Sequence, residues 1–97
     1  MATLSQRQRT LAVGYLSSVL NQLMVADNLG NTTTVQLVFV VQKVSQGTPK
    51  LYKVEYRLAV EDKPKYVPIK KAKEQLIRVI RAYALGGKVT FPRGTTV

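Results

Sequence analysis

From Tyr52 to Glu61 the side chains alternate, with Tyr52, Val54, Tyr56, Leu58 and Val60 apolar and Lys53, Glu55, Arg57, Ala59 and Glu61 between them. A period of two over this length is a β-strand with one apolar and one charged face. Such a strand cannot stand alone. It needs a neighbour to pair its backbone and another layer to cover its apolar side. The neighbour lies upstream. Thr32 to Gln42 is rich in β-branched residues, with Val35, Leu37, Phe39 and Val41 on one face and Val38 and Val40 on the other. Apolar residues on both faces mark a central strand, or one buried by packing or by a second subunit. The turn residues Ser45-Gln46-Gly47-Thr48-Pro49 join the two runs as an antiparallel hairpin.

The covering layer is helical. Ser5 and Gln8 have the spacing of a capping box, and Ala12, Leu16, Val19, Leu20 and Leu23 recur at helical intervals behind them. Arg7, Arg9, Thr10, Ser17, Asn21 and Gln22 occupy the opposite face, and Asn28-Leu29-Gly30-Asn31 supplies a stop. The spacing predicts a first helix over residues 5–26. After the hairpin, Pro64 and Pro68 break the pattern around a short edge strand near Lys65–Val67. A second helix then opens at Pro68 or Ile69. Its apolar stripe is Ile69, Ala72, Leu76, Val79, Ile80 and Tyr83, and it stops at Gly86-Gly87. The tail from Lys88 to Val97 either adds a short strand or frays, and residues 1–4 and 93–97 are expected to fray. The reading is a single α+β domain over residues 1–97: helix, antiparallel hairpin with a possible third short strand, helix, both helices on one face of the sheet.

Charge is the unusual part of the composition. Fifteen Lys and Arg against five Asp and Glu give a formal net charge of +10. Residues 63–97 hold nine of the cations and only Glu74 as an acid. Self-repulsion of this size calls for an anionic partner, and nucleic-acid phosphate is the commonest for a small basic domain. The candidate contacts are Lys63, Lys65, Lys70, Lys71, Lys73, Arg78, Arg81 and Lys88, with Lys53 and Arg57 on the charged face of the second strand. Lys70, Lys71 and Lys73 stand in the first turn of the second helix, where the macrodipole disfavours cations. A bound phosphate would turn that penalty into a site. Tyr52 and Tyr56 share a strand face with three aliphatic residues, so they read as core rather than as a base-stacking platform.

Lys70-Lys71-Ala72-Lys73 is similar to the Lys-Lys-x-Ala-Lys segment that opens the last helix of double-stranded RNA-binding domains, with a spacing one residue shorter and no histidine anywhere in the chain. That resemblance implies shape-reading of an RNA duplex by Lys70, Lys71 and Lys73.

Other chemistries find little support. The absence of Cys and His excludes disulfides and zinc sites built from those ligands. The five carboxylates are Asp27, Glu55, Glu61, Asp62 and Glu74, and they form no acidic cluster for Mg²⁺. No glycine-rich phosphate loop or nucleophile–base pair is present, so neither catalysis nor a cofactor is expected. The longest apolar run, Leu37–Val41, is too short to span a bilayer. Residues 11–20 read as an amphipathic helix in preference to a secretory leader, and lack of Cys fits a reducing compartment, cytoplasmic or nucleoid- or virion-associated. The competing reading is a small interaction or assembly module, such as a viral or phage-type component or an inhibitor, that docks on an acidic protein or forms a homodimer through its sheet.

Overall fold

Ser5 opens the first helix as its spacing to Gln8 predicts. The computed structural model describes residues 4–30, 34–42, 50–61, 63–86 and 89. In it the Ser5 hydroxyl accepts from the Gln8 N–H at 3.2 Å, and Gln8 Oε1 accepts from the Ser5 N–H at 2.9 Å. This reciprocal pair satisfies donors that no helical carbonyl reaches. Helix α1 runs over Gln6–Leu29, past the expected end at residue 26. It continues because Gly30 is the residue that takes the left-handed closing conformation, at φ 72, with its N–H bonded to the Asp27 carbonyl.

Strands β1 (Thr34–Gln42) and β2 (Lys50–Ala59) form the antiparallel hairpin. β3 is only Val67–Pro68 and pairs with the other edge of β1, giving the order β2-β1-β3. The doubly apolar β1 is therefore central. Pro68 carries no N–H, so it ends the β3 ladder and leads directly into α2, Ile69–Leu85, which Gly86 closes at φ 76. At the far end of the hairpin the buried Thr34 hydroxyl donates to the Glu61 carbonyl at 2.9 Å and lies 3.3 Å from that of Ala59.

One core joins the layers. Ala12, Leu16, Val19 and Leu23 of α1 and Ile69, Ala72, Leu76, Val79 and Tyr83 of α2 meet Val35, Phe39, Val41 and Leu51 of the sheet, with Val89 closing one side. Leu4, placed by the sequence at a frayed end, packs against this core. The helices run antiparallel, as two contacts at opposite ends establish. Near the start of α1, Arg9 Nη1 donates to the Tyr83 carbonyl at 3.1 Å; near its end, Asp27 meets Lys73 at 2.7 Å. Arg9 is thus half-buried and binds a last-turn carbonyl of α2, where the dipole favours a cation. Its expected place on a solvent face is corrected. Burial pushes the Tyr83 hydroxyl up to about 12, against the opposing pull of the Arg9 charge and a hydrogen bond with the Leu51 backbone.

The alternation of β2 breaks at one point. Val40 faces Lys53 while Val41 faces Leu51, leaving Tyr52 as the extra residue of a β-bulge. Leu51 takes the core position. Tyr52 turns to the other face, 53% exposed, where its hydroxyl lies 3.0 Å from Gln42 Oε1 and Lys50 Nζ sits 5.1 Å from its ring centre. Tyr56 stays on the helix side and bonds Gln22 Oε1 of α1. The shared face expected for the two tyrosines does not exist. Residues 1–3, Lys43, the turn at 45–49, Asp62, Lys88 and the tail from residue 90 lie outside the described residues.

Candidate functional site

The cations singled out in the sequence fall into three groups. The first is the outward face of α2. With Ile69, Ala72, Leu76, Val79 and Tyr83 turned to the core, the helical repeat carries Lys70, Lys71, Arg78 and Arg81 to the solvent side, all exposed, with Glu74 among them. From Lys70 to Arg81 the stripe is about 16 Å long at 1.5 Å per residue. The two ion pairs among the described residues are Lys53–Glu55 and Lys73–Asp27, so none of these four cations has a carboxylate within ion-pair distance there.

The start of α2 adds to the positive potential. Pro68 offers no side-chain cap, and no acid occupies the first turn. The leading N–H groups and the Lys70 and Lys71 ammonium groups share one end of the helix, where each cation costs about 0.3–1 kcal/mol.

Lys73 does not belong with them. Its Nζ is bound to Asp27 Oδ2 at 2.7 Å, with both side chains partly screened from solvent. The pair offsets two unfavourable placements, a cation at the N-terminal end of α2 and an anion at the C-terminal end of α1. Stability of the helix pair therefore accounts for Lys73. The Lys70-Lys71-Lys73 triplet suggested by the similarity to double-stranded RNA-binding domains is not presented as a unit.

The second group is the loop before β3. Lys63 and Lys65 are both exposed, and the Tyr66 N–H closes a turn on the Lys63 carbonyl at 3.1 Å. Lys65 has φ 70, a conformation that favours glycine at the third position of a Pro-containing type II turn. Chain connectivity holds this loop beside the start of α2.

Lys53 and Arg57 form the third group, on the side of the sheet turned away from α1 and α2. Through the β1–β2 register they lie opposite Val40 and Gln36, and Lys50 and Tyr52 join them there. They are separated from the α2 stripe by the thickness of the domain. On this face Lys53 is engaged by Glu55 at 3.0 Å and Lys50 by the Tyr52 ring. Lys50 escaped the sequence reading because only the bulge brings it and Tyr52 to the side of Lys53 and Arg57. No group of three or more metal-ligating side chains occurs among the described residues, and no helix among them is long and apolar enough to cross a membrane.

Comparison with protein-family models, with curated proteins and with solved structures finds no significant match.

Proposed function

We propose that this chain is a non-catalytic nucleic-acid-binding domain that meets backbone phosphates with the outward face of α2 and the Lys63–Lys65 loop. The observation that carries the reading is the set of four exposed cations on one face of α2 with no carboxylate partner among the described residues, beginning at an uncapped helix end. Lys73 supplies the contrast. Where this fold puts a cation at that end for its own stability, it provides Asp27 opposite; Lys70 and Lys71 have no such counterpart among the described residues.

A phosphate reverses the local balance, because helix N–H groups and ammonium groups then converge on one anion. The contacts are to backbone, so affinity should depend little on base sequence and strongly on salt. The open sheet face ranks second, since Lys53 and Lys50 are already engaged there.

The test uses nuclease-treated protein and fluorescence anisotropy with duplex RNA, duplex DNA and single strands at low ionic strength. The triple change Lys70→Glu, Lys71→Glu and Arg78→Glu should weaken binding at least roughly 100-fold. Lys50→Glu with Lys53→Glu, on the opposite side of the molecule, should cost far less. Undetectable binding of every probe by the unaltered protein contradicts the proposal, as does an equal loss from both sets of changes.

A further inference from the structure

The order β2-β1-β3 leaves the outer side of β2 without a neighbour among the described residues over ten positions, Lys50–Ala59. An edge this long is an open row of N–H and C=O groups, which proteins normally blunt by shortening, bulging or charging it. Here the bulge distorts only the end at Leu51–Lys53; Val54 to Ala59 keeps a regular register with β1. We infer that this edge is a homodimer interface, in which β2 pairs antiparallel with β2 of a second copy about a two-fold axis at Tyr56.

The charges select both the occupant and the register. A two-fold axis at Glu55 would set Glu55 against Glu55 and Lys53 against Arg57, like charges throughout. An axis at Val54 would draw the bulge into the new ladder. With the axis at Tyr56, Glu55 faces Arg57 of the second copy and Arg57 faces its Glu55, while Val54 faces Leu58. Val54-Glu55-Tyr56-Arg57-Leu58 is thus self-complementary when read antiparallel, opposite charges on the open face and apolar residues on the helix side. Arg57 has no ion-pair partner among the described residues, so it is available for this role. Glu55 and Glu61, two of only five acids in the chain, lie on or beside this edge and partly offset the charge of Lys50, Lys53 and Arg57 there.

Strand pairing alone is thin, and a stable interface buries about 1,200 Å² or more. The remainder comes from α1, which lies along the same edge. Tyr15, Ser18 and Gln22 line a groove with Val54 and Tyr56, and Leu11, Tyr15, Val25 and Leu29 continue that flank of the helix, each about half exposed or more. Symmetry brings the same flank of the second copy opposite. The product is one continuous sheet of six strands, twice the three described in one chain, with the α1 and α2 helices of both copies on the same side.

The test is sedimentation velocity on nucleic-acid-free protein over a wide concentration range at moderate salt, so its result is independent of the proposed phosphate contacts. The unaltered chain should sediment as a dimer. Glu55→Arg or Arg57→Glu alone should raise the dimer dissociation constant by roughly tenfold or more, and the two together should restore it, because opposite charges face one another again. As a second measure, Tyr56→Cys introduces the sole cysteine and should oxidise to a covalent dimer much faster than Ala84→Cys on α2. A monomer at all concentrations, a double variant no tighter than the singles, or equal crosslinking at both positions would overturn the inference.

Discussion

Lys65 sits where a turn would rather hold glycine. Its φ of 70 places a side chain in the left-handed region, at a cost of about 1–2 kcal/mol for a residue with a Cβ. Retaining lysine there is understandable if its charge is used, and strain of this kind gathers at functional positions. Lys65→Gly should therefore raise stability by about 0.5–1 kcal/mol in chemical denaturation, less than the strain because glycine loses more freedom on folding. The same variant should bind nucleic acid more weakly. A loss of stability, or unchanged binding, would remove Lys65 from the interface.

At the level of elements, the two helices hold each other at both ends. Arg9 binds the end of α2 and Asp27 pairs with the start of it, so α1 supplies the charges that both termini of α2 lack, while Lys73 of α2 gives a cation to the end of α1. Removing either Asp27 or Lys73 should cost about 1 kcal/mol, with most of that appearing as coupling in a double-mutant cycle by urea denaturation, since the pair is only partly shielded from solvent. Lys73→Ala should leave nucleic-acid affinity nearly intact; a loss as large as that of Lys70→Ala would return Lys73 to the binding set. The helical stripes, the capping box, the central position of β1 and the turn into α2 were legible because each depends on residues a few positions apart. Arg9 and Lys73 were not, for their partners lie 74 and 46 residues away. The bulge at Tyr52 was hidden too: no Gly or Pro marks it, and one extra residue moves the tyrosine to the opposite face without altering the apolar pattern. Of the candidate site, the α2 stripe could be read from the helical repeat, whereas the isolation of Lys53 and Arg57 on the far side follows from how the layers stack.

For the whole molecule, the decisive quantity is a net charge of +10 spread over two layers of opposite use. The helix layer carries, on the outward face of α2, cations with no carboxylate partner among the described residues. The sheet layer carries an edge on which charges of both signs alternate. If the edge pairs as inferred, both α2 helices lie on one side of a common sheet, and a long nucleic acid can engage both at once. Phosphate contact by the α2 stripe is the central interaction proposed for this molecule, and counterion release measures that contact directly. Each phosphate neutralised adds about 0.7–0.9 to the slope of log affinity against log salt. Titrating binding over a range of salt, the variant with Lys70, Lys71 and Arg78 changed to Ala should show a slope shallower by roughly 2–3 than that of the unaltered protein. Identical slopes for the two proteins would mean that these side chains do not touch phosphate, and would contradict the account.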